Sequence, residues 1–163
     1  MTLNIQAWLM PMAVAAAAAI LVALMGATIT DLGSWYHLLR QPAWAPPDAA
    51  FGLIWTIIYA CNALAGVAMW SACERRRDVE AVIGLFAFNG FLNILWSLLF
   101  FHLQRPDWAA VEAGALLLSV LSLILLAARL SRLATWLLIP YLLWVSVALV
   151  LNIEVVRLNG PFA

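Results

Sequence analysis

The chain contains no lysine. A retinal Schiff base and the phosphate-gripping loop of nucleotide hydrolases both require one, so neither is present. Charge of either sign is scarce at 10% of 163 residues, eight arginines against eight acids, where a soluble domain carries about 25%. The net charge of zero offers polyanions no attracting field, and nucleic acid is excluded as a partner. The two cysteines, Cys61 and Cys73, fall about 18 Å apart on one helix at about 1.5 Å per residue, too far to bridge. Only His37 and His102 exist, which leaves no pair of facing histidines within two spans to hold a permanent haem. Metal-ligand spacings, Cys/His clusters and nucleophile-elbow patterns are missing too. No metal and no permanent cofactor is therefore expected. Enzymatic function would have to be unusual chemistry on a bound pigment.

What is abundant is apolar surface: 67% of residues are hydrophobic and the mean hydropathy is +1.02. A core of this size cannot hide so much, so the solvent is lipid. Five stretches reach the length of about 20 apolar residues that a bilayer requires. They run over residues 8–29, 51–72, 81–103, 108–128 and 133–156, within one all-α membrane domain spanning 1–163. The first is read as a retained span, since no Lys or Arg precedes it as in a signal peptide. Arg75, Arg76, Arg77, Arg129 and Arg132 fall on one side, and Arg40, Arg105 and Arg157 on the other. By the positive-inside rule the N-terminus faces the cytoplasm. Residues 30–50 form a long connector rich in aromatics and proline, read as a semi-rigid lid over one end of the bundle.

Polar and aromatic side chains recur at helical spacing within the spans. Trp55, Tyr59, Asn62 and Gly66 form one stripe, Asn89, Asn93, Trp96 and Ser97 a second, and Tyr141, Trp144, Ala148 and Asn152 a third. Each covers no more than about 100° of its helix. For any single Asn, a hydrogen bond tying helices together serves equally well. Bulky indoles on the same faces, however, hold helices apart, and the set points to an internal pocket for a flat, mostly apolar ligand. Ala15, Ala19, Ala23 and Ala27 on the first span, and Ala110 and Gly114 on the fourth, are candidate close-packing ridges. Glu154 is expected to pair with Arg157. Glu112 should reach the interface and tether a helix, and Asp48 should cap the second span.

Four motifs in order carry a family resemblance. They are Trp35-Tyr36-x-x-Leu39-x-x-Pro42-x-Trp44-x-Pro46-Pro47; Trp55-Thr56-x-x-Tyr59; Asn93-x-x-Trp96-Ser97-x-x-Phe100-Phe101; and Pro140-Tyr141-Leu142-x-Trp144 with Ala148-x-x-Leu151-Asn152 and Leu158-Asn159. From Trp35 to Asn159 the chain resembles the tryptophan-rich sensory protein family (TspO/MBR), whose mitochondrial members are the translocator protein or peripheral benzodiazepine receptor. The resemblance implies a five-helix bundle, often a homodimer, in a bacterial cell membrane, with an outer envelope membrane left open. It implies a receptor that binds tetrapyrroles such as protoporphyrin IX or haem. Carried over by motif, the ligand-binding positions are Trp35, Tyr36, Trp44, Trp55, Tyr59, Asn93, Trp96, Trp144 and Asn152, with Asn89 matching a position that is polar in some relatives. Tyr141 joins them from the third stripe. No Lys or Arg follows Tyr141 within five residues, so the sterol motif of mitochondrial relatives is lacking and sterol binding there is not expected. Two other functions stay open: a light- and oxygen-dependent porphyrin-degrading enzyme, with Trp55 and Trp144 as its reactive indoles, and a transporter of porphyrin or lipid, although no inverted repeat is visible.

Overall fold

The computed structural model describes residues 5–30 and 32–162, with side chains for 12–22, 24–25, 28–30 and 32–162. The described residues are helical or irregular, without strands. Helix α1 covers Ile5–Ile29, the short α2 Ser34–Leu38, α3 Asp48–Ala72, α4 Arg76–Ser97, α5 Pro106–Leu130 and α6 Arg132–Asn159. At about 1.5 Å per residue, 25 residues reach about 37 Å, longer than a hydrocarbon core of about 30 Å. Helices α3 to α6 are each long and apolar enough to cross a membrane, and α1 contributes the apolar stretch Met12–Val22. The helices begin a few residues before the apolar runs that announce them, because polar first-turn residues such as Asp48 and Asp78 extend them toward water.

The outer faces are as apolar as the inner ones. On α5, Val111, Leu118 and Leu125 are exposed at steps of seven, and on α6 Trp136, Leu143 and Val150 repeat the pattern. Only lipid makes such a surface favourable. The inner face of α5 carries Ala109, Ala113, Leu116, Val120, Leu123 and Ala127, all buried. This corrects the expected small-residue ridge by one position: a Cβ added at Gly114 would meet nothing within 4 Å, whereas Ala109 and Ala113 pack. On α1, Ala15 and Ala19 are half-buried and face α3 and α4, so this half of the ridge points into the bundle. The side chains of Ala23 and Ala27 lie outside the described set. A Cβ on Gly90 of α4 would sit 3.2 Å from Val22 Cγ2, so α1 and α4 approach closely there.

The helices form a ring in the order α1, α3, α6, α5, α4 and back to α1. Two connectors explain its shape. Ser131 alone joins α5 to α6: its N–H donates to Ala127 O at 2.7 Å, its carbonyl accepts from Thr135 N at 3.1 Å, and its Oγ accepts from Ala134 N at 3.3 Å. One residue thus ends one helix and caps the next. At the other end of the bundle α4 widens into a π turn, Leu98–His102, in which Leu103 N donates to Leu98 O at 2.9 Å. Gln104 follows with φ +52°, a left-handed backbone that non-glycine residues adopt sparingly.

Candidate functional site

The lid end of the ring encloses a cavity of about 550 Å³. Helix α3 contributes Asp48, Phe51, Trp55 and Tyr59, α4 and its π turn contribute Asn93, Trp96, Phe100 and Phe101, and α6 contributes Trp144, Leu151 and Asn152. The connector closes the end with Thr30, Leu32, Tyr36 and Gln41. The aromatic wall is self-supporting. Trp55 stacks on Tyr59 with centroids 5.4 Å apart and meets Trp144 edge to face at 6.5 Å. Trp96 stacks on Phe100 at 5.2 Å.

Seven of the sequence-predicted site residues line this cavity: Tyr36, Trp55, Tyr59, Asn93, Trp96, Trp144 and Asn152. Trp35 stands behind the wall, edge-on to Phe100 at 6.0 Å. Trp44 does not line the cavity and is 49% exposed. The turn in which Ala45 N donates to Pro42 O at 2.9 Å carries it along the outside. Asn89 and Tyr141 also lie off the wall. They belong to a hydrogen-bonded chain behind it, and both border a second, almost wholly apolar cavity of about 460 Å³ between α1, α3 and α4.

That chain runs across four helices. Tyr59 Oη donates to Asn93 Oδ1 at 3.0 Å, Asn93 Nδ2 to Tyr141 Oη at 3.4 Å, Tyr141 Oη to Asn89 Oδ1 at 3.1 Å, and Asn89 Nδ2 to Ser119 Oγ at 2.8 Å. A second tie passes from Trp96 Nε1 to Asn152 Oδ1 at 3.1 Å and from Asn152 Nδ2 to Pro106 O at 2.8 Å. The amides therefore do both things the stripes allowed: Asn93 and Asn152 line the cavity while their polar atoms fasten helices. The α3 stripe divides, with Trp55 facing the first cavity, Asn62 and Gly66 the second, and Tyr59 both.

Two expectations about acids are corrected. Asp48 is not the cap of α3, a position held by Pro47. As the first helical residue Asp48 instead accepts from Tyr36 Oη at 3.4 Å and stands 4.0 Å from His37 Nδ1, which fastens the lid helix. Burial, reinforced by the Asp48 charge and hydrogen bond, pushes the Tyr36 phenol up to about 12. Glu112 does not reach the interface. It is 7% exposed on the inner side of α5, and neither carboxyl oxygen finds a hydrogen-bond partner. The expected Glu154–Arg157 pair is present at 3.4 Å.

Phe100, Phe101, Asp48 and Gln41 were not legible as wall residues. Consecutive Phe side chains diverge by about 100° on a regular helix; the π turn brings both inward, and no periodicity announces a π turn. The lid itself is clasped by Asn159, which accepts from Arg40 N at 2.8 Å and donates to Arg40 O at 3.0 Å.

Residues 12–158 match the TspO/MBR family. The chain is 36% identical over 140 residues to the tryptophan-rich protein TspO of Chlorobaculum tepidum, covering 85% of this chain and 89% of that protein. It is 30% identical over 125 residues to the tryptophan-rich sensory protein of Cereibacter sphaeroides, 77% of each chain. The human translocator protein is 31% identical over 126 residues, covering 77% of this chain and 75% of that one.

Proposed function

Given that the chain belongs to the TspO/MBR family, we propose that it is a membrane receptor whose cavity takes a flat, largely apolar tetrapyrrole such as protoporphyrin IX or haem. The observation that carries this reading is the convergence of Trp55, Trp96 and Trp144 from three helices on one cavity. Indole faces stack on a conjugated ring, and a volume near 550 Å³ falls within the range of about 300–1,000 Å³ typical of small-molecule sites. The lid, held by Tyr36–Asp48 and the Asn159 clasp, is the element that reports occupancy, because it shares the cavity with the ligand.

Neither His37 nor His102 lines the cavity. No imidazole is in place to ligate iron, so stacking is expected to hold the macrocycle and the metal-free ring to bind about as well as haem. The test is a Soret-band titration of purified protein with protoporphyrin IX, haem and a sterol competitor side by side. Saturable binding of both tetrapyrroles, undisturbed by sterol, is expected; absence of saturation would refute the reading. A second reading, oxidative breakdown of the bound porphyrin under light and oxygen, draws on the edge-to-face Trp55–Trp144 pair. It requires a new absorbing product that disappears in Trp55→Phe/Trp144→Phe.

The N-terminus is taken to face the cytoplasm of a bacterial cell on the bias of five arginines against three, and the assembly to be a homodimer. In a variant without native cysteines, a cysteine at Ser34 should react with an impermeant reagent outside intact cells and one at Asp78 should not. The reverse pattern would invert the topology.

A further inference from the structure

Among the described residues that line the main cavity, Asp48 alone carries a formal charge. It sits at the lid end with its side chain 45% exposed, so a ligand reaches it. One oxygen accepts from Tyr36 and the other faces His37 at 4.0 Å. A carboxylate has about four lone-pair sites, so capacity for a further donor remains. No arginine offsets it in the wall. Arg105 and Arg157, at the same end of the bundle, pair with Asp107 and Glu154, and Arg40 is not a wall residue. The remaining wall is aromatic, amide, hydroxyl and aliphatic.

This electrostatic arrangement has a definite preference. A ligand carboxylate brought to the lid end gives up hydration and meets a like charge. An ammonium there gains an ion pair with Asp48, while tryptophan and phenylalanine faces nearby are attractive to cations. Resting on the reading of the cavity as a tetrapyrrole pocket, we propose that Asp48 makes it charge-selective: it favours flat ligands presenting a cationic group at the lid end over neutral ones, and both over ligands presenting carboxylates.

Three probes of one ring system test this: protoporphyrin IX, its neutral dimethyl ester, and its bis(2-aminoethyl)amide, titrated at pH 8 in uncharged detergent so that lipid charge plays no part. In the wild type the dication should bind tightest and the dicarboxylate weakest, with about fivefold between successive probes, the scale of a partly screened charge. In Asp48→Asn, which keeps an acceptor for Tyr36, the three affinities should converge. Glu154→Gln, a charge change at the same end but off the wall, should leave the ranking as in the wild type. A wild-type ranking with the dicarboxylate tightest, or an order that Asp48→Asn leaves intact, would overturn charge selection while the cavity reading stands. Failure of the neutral ester to saturate would overturn both. The wild-type ranking alone decides the matter if the Asn variant does not fold.

Discussion

Tyr59 Oη donates to Asn93 Oδ1 at 3.0 Å, and the two side chains that make this bond line both cavities. The bond is thus part of the partition between an aromatic chamber and an apolar one, and the first link of a hydrogen-bonded chain ending at Ser119. Tyr59→Phe removes the donor and strands a carbonyl oxygen in a residue that is 4% exposed. We expect a loss of about 1–2 kcal/mol in stability, read by thermal unfolding of the helical circular dichroism in detergent. An unchanged melting curve would mean the partition is not a structural tie.

Asn152 is the tighter knot, since it both accepts from Trp96 and donates to Pro106 O. Asn152→Leu leaves the Trp96 indole N–H unpaired and removes the second donor to Pro106 O, and should cost about 1–3 kcal/mol. Asn152→Asp places a carboxyl at a position 1% exposed, where it is either a buried charge or held protonated, and should also unfold more readily than the wild type. Equal unfolding of all three would contradict the assigned hydrogen bonds.

Glu112 runs the other way. A buried carboxyl without hydrogen-bond partners is a destabilising feature, so a well-packed apolar replacement removes a penalty. Glu112→Leu is expected to raise stability by about 1 kcal/mol, with tetrapyrrole affinity unchanged because Glu112 is not in the cavity wall. A lower melting temperature would show that the carboxyl has a partner in the membrane.

Much of this was legible in the chain and some was not. Span number follows from the lengths of the apolar runs, the lid from the length and aromatic and proline content of its connector, and the three stripes from helical periodicity. Three features escaped. Phe100 and Phe101 depend on a π turn whose geometry has no sequence period, and the outward position of Trp44 depends on the turn after Pro42. Asp48 reads as a helix cap from composition alone, since Asp after Pro-Pro is a start signal. Only three-dimensional proximity to Tyr36 reveals it as a lid contact.

The Tyr36 phenol gives a pH signature. Its proton leaves near 10 in the unfolded chain and near 12 in the folded one. The folded state therefore binds more protons between those values, and this contribution to stability is complete below pH 10 and lost as pH rises toward 12. Against Tyr36→Phe, the wild type should lose stability more steeply over that window, measured by unfolding at fixed pH. Parallel pH profiles would contradict the burial of the Tyr36 phenol beside Asp48.

The most direct test of the central claim is the affinity of Trp55→Phe/Trp144→Phe for protoporphyrin IX, followed by the Soret band rather than by the tryptophans themselves. Two indoles in contact with the ring, each worth about 1 kcal/mol beyond buried area, predict a loss of tenfold or more, with a wild-type-like helical spectrum and monodisperse elution. An affinity equal to that of the wild type would contradict an aromatic receptor cavity at this site.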